Sequence, residues 1–379
     1  MKIALNASSL LSPLTGIGQY TYHLAKGLQK YEDIELDMFY ANGWSKEVRD
    51  RPIKQIRNIK LLLKKFIPKT YDISRLIQQS YFNERSFEKV KGIYHEPNFL
   101  AFKYNGPLVL TVHDLSWIRY PEMHPEDRVR NMNKHFQISM ERAAMIVTDS
   151  QAIKQEIMST FGVSDARIKS IPLGVESSFR PLNAEETMPV LQEHGLEHQK
   201  YILAVGTLEP RKNLSAVLLA YMQMPANLRK HCPLVLVGMK GWHMSSLEKQ
   251  MAPLVAAGEI RQLGYLKRED LAVIIAGALT LVYPSVYEGF GLPPLEAMTC
   301  GVPVIASNVS SLPEVVGNSG LLVDPHNIDD IAKAMETMMT APEIRAASAQ
   351  KALLRSTEFS WDRCAQQTVG VYRQVQSSV

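Results

Sequence analysis

LTLVYPSVYEGFGLPPLEAMTCGVPVIAS, residues 279–307, reads as strand, loop, helix and strand in immediate succession. LTLVYPS is a short apolar run bounded by a turn residue. Pro293 and Pro294 fit only at a helix start, and Gly301 fits just past the end of that helix. PVIAS then returns to an apolar run. Two such runs joined by a helix form the repeating unit of a parallel sheet.

The same unit recurs on both sides. YILAVGT, PLVLVG and IRQLGY precede it and GLLVD follows it, each separated by a segment of helical length. The N-terminal half repeats the alternation: KIALNA before GQYTYHLAKGL, LVLTVHD before a polar helix, and AMIVTDS before QAIKQEIMSTFG. Between the halves, residues 174–199 turn polar and lose periodicity, which predicts an interdomain linker. The expectation is an α/β chain of two Rossmann-like domains, residues 1–173 and 174–359, the second including that linker. FSWDRCAQQTVGVYRQV has helical spacing, and a helix over 360–379 is expected to cross back and complete the first domain.

A length of 379 residues, 46% hydrophobic and 21% charged, agrees with two folded domains. The net charge of +4 is too mild for a dedicated nucleic-acid binder, so no nucleic-acid partner is expected. Cys232, Cys300 and Cys364 stand at no metal-ligand spacing, and a reducing cytoplasm is the simplest home. MKIALNAS reads as a strand rather than a leader, and no run approaches 18 apolar residues.

Ligands of open parallel sheets bind at the carboxyl ends of the strands, so the loops that follow strands are where chemistry is sought. In NASSLLSPLTGIGQYTYHL, Gly16 and Gly18 lead into a helix whose N-terminus favours an anion. Two readings stay open there, a phosphate-approaching loop or a plain turn. In GTLEPRKN, 206–213, Arg211 and Lys212 stand where a helix is expected to begin. Cations are disfavoured by the dipole at that place, which argues for a bound anion such as a diphosphate.

Glu296 is expected in the first turn of the helix that Pro293 and Pro294 open, where the dipole alone explains an acid. Glu288, on the glycine-flanked loop before it, has no such explanation and suits sugar hydroxyls. The two acids together suit two polyols, a donor sugar and a ribose, with phosphates between them. His113 and Asp114 end a strand of the first domain and face the expected cleft.

GIGQYT, TVHDLSW, GTLEPRKN and EGFGLPPLEA, in this order, resemble the retaining nucleotide-sugar glycosyltransferases of family 4, which have the GT-B fold of two Rossmann-like domains facing each other across a cleft. Within that family the chain looks most like bacterial mannosyltransferases that build O-antigen of lipopolysaccharide. The resemblance implies that Glu288 holds the donor sugar and Glu296 the ribose. It implies that Arg211 and Lys212 neutralise the leaving diphosphate, with Gly16 and Gly18 approaching it from the other domain. His113 would sit beside the donor sugar, backbone groups around Phe290, Gly291 and Leu292 would contact sugar or phosphate, and Gly264 and Tyr265 would lie near the base. Gln19 departs from the family, where many members carry arginine.

No DxD metal signature is present, so no cofactor and no metal are expected beyond the donor substrate, best read as GDP-mannose with UDP-sugars behind it. The leaving phosphate would take the acceptor's proton in a same-face attack. Residues 49–75 hold nine Lys or Arg against two Asp and read as a basic amphipathic helix; contact with an anionic membrane would suit a lipid-linked glycan acceptor. An ordinary surface helix is the other reading. Two rival functions are weaker: a non-catalytic nucleotide-sugar module, and a nicotinamide dehydrogenase using Asp37.

Overall fold

A computed structural model of the chain describes residues 1–49, 70–84, 92–242 and 245–378. Among them, two sheets form separate layers. The first contains β1 (Lys2–Asn6), β2 (Glu35–Phe39), β3 (Trp44–Ser45), β4 (Ile93–Glu96), β5 (Leu108–Thr111), β6 (Met145–Thr148) and β7 (Ile168–Ser170), in the order β3-β2-β1-β4-β5-β6-β7. The second contains β8 (Ile202–Val205), β9 (Leu234–Val237), β10 (Ile260–Gly264), β11 (Thr280–Tyr283), β12 (Val304–Ser307) and β13 (Leu321–Val323), in the order β10-β9-β8-β11-β12-β13. Every pairing is parallel except that of β2 with the short edge strand β3.

The central strands are continuous apolar runs because helices cover both faces of each sheet. LVLT of β5, MIVT of β6, LVLV of β9 and TLVY of β11 are buried at every position. In each sheet the strand order reverses once, between β1 and β4 in the first and between β8 and β11 in the second. A crevice opens at such a reversal. In the second domain it is flanked by residues 206–213 and 284–291, the two loops that carry Arg211, Lys212 and Glu288.

The stretch 174–199, expected to lack periodicity, contains a helix, Ala184–Glu193, opened by a reciprocal cap between Asn183 and Glu186. Phe179, Leu191 and Leu196 anchor this stretch in the second domain's core. Three isolated apolar anchors give no periodic signal, which is why the sequence reads as polar.

The last helix, Trp361–Ser377, packs on the helix Gly16–Leu28 and on β4 of the first domain. Tyr372 Oη lies 2.6 Å from His95 Nδ1, and a Cβ on Gly27 would overlap that of Ala365. Gly174 touches the backbone of Ser360 and Trp361 so closely that it has no room for a side chain. The two crossings between domains therefore run side by side. No helix among the described residues is long and apolar enough to cross a membrane.

Candidate active site

The loop after β8 makes a single 3-10 turn, Pro210–Lys212, and only then does the helix Leu214–Gln223 begin. This differs from the expectation that the two cations start the helix. The anion that offsets them is in part the chain's own. Arg211 Nη1 donates to Glu288 Oε2 (2.8 Å), Arg211 Nη2 donates to Glu209 Oε1 (2.7 Å), and Lys212 Nζ donates to Glu288 Oε1 (2.6 Å). Tyr283 lies within bonding distance of both Lys212 Nζ (2.6 Å) and Glu288 Oε1 (3.0 Å). Two carboxylates and two cations close a cluster of zero net charge.

Burial works against ionisation of Glu288, but the Arg211 and Lys212 charges outweigh it and hold the carboxyl down to about 2. Arg211 is likewise opposed by burial and more than compensated by Glu288 and Glu209, so its pKa lies above the ordinary value. Lys212 goes the other way: burial lowers it despite Glu288. Arg211 Nε is buried without a partner, and Lys212 has a third N–H. These are the donors left for a ligand.

Glu296 is the fifth residue of the helix Leu292–Thr299, past its first turn, so the dipole does not account for it. Leu292, not a proline, opens the helix, which carries Glu296 out of the first turn. Glu296 Oε1 instead accepts from Arg268 Nη2 (2.8 Å), and the same guanidinium reaches Glu176 (3.0 Å) and covers the ring of Phe179. Gln19, oriented with its amide nitrogen toward Glu176 (2.8 Å), joins that group from the first domain. Its position is buried against protein rather than open for a phosphate contact.

His113 also differs from expectation. Both ring nitrogens are held within the first domain, Nδ1 by Asp149 Oδ2 (2.7 Å) and Nε2, as donor, by the Pro97 carbonyl (2.8 Å). Burial disfavours the imidazolium, yet Asp149 raises its pKa above the ordinary value; burial raises Asp149 too. What His113 presents to the second domain is its backbone, since a Cβ on Gly289 would overlap the His113 carbonyl oxygen.

Gly16 begins its helix with open space where a Cβ would lie, whereas Gly18 is packed against Leu14. Phe290 is buried in the core shared by the two domains, and its carbonyl accepts from Ser311 Oγ (2.9 Å). Gly291 has φ +114° at the N-cap of the helix that Leu292 starts, a conformation suited to glycine. That helix start leaves N–H donors without intrahelical partners. Gly264 and the half-exposed Tyr265 lie at the carboxyl end of the edge strand β10. Asp37 is buried in the middle of β2 rather than at its carboxyl end, which removes the ribose contact a dehydrogenase requires.

Residues 14–179 match the family described as Glycosyltransferase Family 4, and residues 190–355 match Glycosyl transferases group 1. Over 98% of its length the chain is 38% identical to the O-antigen chain mannosyltransferase B of Escherichia coli, and it covers 100% of that protein. The chain is a family 4 glycosyltransferase. It is also 33% identical, over 71% of its length, to the serotype-specific mannosyltransferase WbdA of Escherichia coli, of which it spans 34%. Among solved structures, the sucrose-phosphate synthase of Thermosynechococcus elongatus superposes with a TM-score of 0.77 at 21% identity, each chain covered fully at 100%. WaaG, a glycosyltransferase involved in lipopolysaccharide biosynthesis, superposes with a TM-score of 0.73 at 15% identity, over 98% of this chain and 99% of that one. Both likenesses are of fold, and the fold is GT-B.

In this glycosyltransferase several site residues escape a reading of the sequence. Asp149 follows β6 in AMIVTDS, and its place at a strand's carboxyl end is the available signal. Glu209 and Tyr283 complete the charged cluster and sit beside the loop residues that the sequence does single out. Tyr287 ties the domains: its hydroxyl accepts from Leu115 N (2.9 Å) and donates to Glu156 Oε2 (2.6 Å). Ser150 Oγ donates to the Gly289 carbonyl (2.8 Å), and Glu314 caps the helix Gln151–Phe161 through the Gln151 (2.8 Å) and Ala152 (3.2 Å) N–H groups. The domains are closed on each other.

Gly289→Ala is expected to hold them apart. A misplacement of about 1 Å costs on the order of 100-fold in rate, so turnover should fall by roughly tenfold or more while each domain stays folded. Turnover assays paired with small-angle scattering check this; unchanged turnover would show that the His113 to Gly289 approach is not the working geometry.

Proposed function

We propose that the cleft moves a mannosyl group from GDP-mannose onto a hydroxyl of a growing, lipid-linked O-antigen chain, with retention at the anomeric carbon. The observation that carries the reading is the meeting of Arg211, Lys212 and Glu288 at the strand-order reversal of the second sheet. The donor's mannose and the O-antigen acceptor are inferred from the names of the two Escherichia coli relatives.

Without donor the charges neutralise one another. When the nucleotide sugar enters, its diphosphate takes the donors of Arg211 and Lys212, and the sugar hydroxyls take the freed oxygens of Glu288. Gly16, Gly18 and the N–H groups around Phe290, Gly291 and Leu292 approach the phosphates and sugar. Glu296, steadied by Arg268, meets the ribose, and Gly264 and Tyr265 flank the base. His113 shapes the reaction centre through its carbonyl, with Asp149 fixing its ring.

The bond from the anomeric carbon to the phosphate oxygen breaks with its electron pair on the diphosphate. The acceptor oxygen bonds to that carbon on the same face, and its proton passes to the leaving phosphate oxygen. Arg211 and Lys212 stabilise the charge that develops there, and such preorganised stabilisation of developing charge supplies most of the rate enhancement in many enzymes. In this scheme the cations do the work of a metal ion, and no cofactor takes part.

The base is tested by thermal unfolding with excess GDP, UDP, ADP or NAD, with and without a chelator. Ligand at about 100 times its Kd adds roughly 2.7 kcal/mol. A rise in Tm with GDP that survives the chelator is expected. A rise with UDP alone would change the donor, and a rise with NAD alone would overturn the reading.

A lipid-linked acceptor places the enzyme at the cytoplasmic face of a membrane. Of the basic segment 49–75, residues 50–69 lie outside the described residues. The helix Thr70–Glu84, which follows, exposes Ile73, Leu76, Ile77 and Tyr81 at helical spacing. Sedimentation with vesicles is expected to capture the protein when anionic lipid is present and not with neutral lipid; equal capture would remove the basic segment from the proposed membrane contact.

A further inference from the structure

Three histidines of the first domain are buried, and one of them is unlike the others. His95 holds Tyr372 and Thr111 on its two ring nitrogens, and His113 holds Asp149 and the Pro97 carbonyl. His124, only 5% exposed, has a partner on neither Nδ1 nor Nε2 among the described residues. Buried polar groups are almost always paired, so an imidazole orphaned at both nitrogens marks a place for something else.

Its position says what. His124 follows the 3-10 turn Pro121–Met123, whose last carbonyl accepts from Trp242 Nε1 of the second domain (2.6 Å). The Trp242 and His124 ring centres are 6.1 Å apart. Trp242 belongs to the loop after β9, which pairs through Lys240 and Met239 with Leu208, next to Glu209 and the phosphate-loop cations. His124 thus lies at the seam, on the wall opposite Arg211.

We infer that His124 hydrogen-bonds a hydroxyl of the acceptor sugar and so is a specificity-determining residue of the transfer. The inference rests on the reading of the cleft as a site of sugar transfer. Burial is the main influence that lowers its pKa. Arg128 and Arg211 act in the same direction, while Asp114 and Glu209 oppose it. A neutral imidazole offers one donor and one acceptor, which matches the two roles of a hydroxyl. Both nitrogens are buried while the domains are in contact, so the acceptor would reach the ring before the domains close.

The test uses the full chain, GDP-mannose and UDP-glucose as donors, and octyl α-mannoside and octyl mannobiosides as acceptors. His124→Leu is expected to raise the acceptor KM by about tenfold or more with the donor KM within about twofold. Its Tm should be unchanged or raised by about 2 °C, because an unpaired polar group has been removed. A structural histidine would instead lower Tm. Of His124→Asn and His124→Gln, the one whose amide overlays the nitrogen in use should recover the acceptor KM. An unchanged acceptor KM in His124→Leu overturns the inference, and a raised donor KM alone moves His124 to the donor side and overturns it equally. Failure of the unaltered protein to transfer from either donor to any of these acceptors overturns the underlying reading and the inference with it.

Discussion

Glu288→Gln is expected to reduce transfer by roughly 10^3-fold while nucleoside diphosphate binds at least as tightly as before. The two effects separate because the carboxylate does two things. It faces the sugar in the working complex, where glutamine cannot reproduce its charge. In the empty site it competes with the diphosphate for Arg211 and Lys212, and glutamine competes less. The same change leaves two buried cations with Glu209 alone, and removing one partner of a buried ion pair costs about 3–5 kcal/mol. A fall in Tm should therefore accompany tighter nucleotide binding.

Acid unfolding provides a further signature. The Glu288 carboxyl is held at about 2, below its ordinary value of 4.5. A depressed carboxyl contributes stability that is present above its unfolded pKa and is lost as pH falls through the folded one. The protein should thus lose stability between about pH 4.5 and 2, and the variant should lack this component. Turnover in Glu288→Gln equal to that of the parent would sink the assignment of the residue.

Arg211→Met is expected to act in the opposite sense on binding. It leaves Glu209 and Glu288 facing one ammonium, so a diphosphate would meet excess negative charge. Each lost charge-assisted hydrogen bond costs about 1.5–3 kcal/mol, which predicts nucleotide affinity lower by about tenfold or more and turnover lower by about 10^2–10^3-fold. Arg211→Lys should not rescue. The guanidinium reaches Glu209, Glu288 and the Tyr287 carbonyl (2.7 Å) at once, and one ammonium has neither the reach nor the fork geometry. Calorimetric titration with GDP and UDP, alongside transfer rates, checks both parts. Full rescue by lysine would show that charge alone matters there.

Much of the fold is legible because a strand buried on both faces writes itself as an unbroken apolar run. LVLT and TLVY admit few other readings. The helix at 184–193 is hidden because its contacts are made by isolated anchors. At the site, residue types are legible and their partnerships are not. Arg211 and Lys212 point to an anion through the dipole argument, yet Glu288 lies 76 residues beyond Lys212 and nothing in a linear chain says that they touch. The ring of His113 reads as a cleft group because the sequence shows which residue ends a strand but not which way its side chain is bonded. His124 stands eleven positions on, in the same loop region, and only the absence of partners in three dimensions separates it from an ordinary core histidine.

The helix Trp361–Ser377 seals a domain whose last strand ends at Ser170. During synthesis the ribosome reaches Ser377 only after about 200 further residues, on the order of 10–40 s at about 5–20 residues per second. Throughout that interval the socket for Tyr372, lined by His95, stands open while the second domain is free to fold. The enzyme is thus assembled from the inside of its sequence outward, and its first domain is the last to be finished. A chain truncated after residue 359, just before that helix, should present a folded second domain attached to an N-terminal half that chaperones still bind.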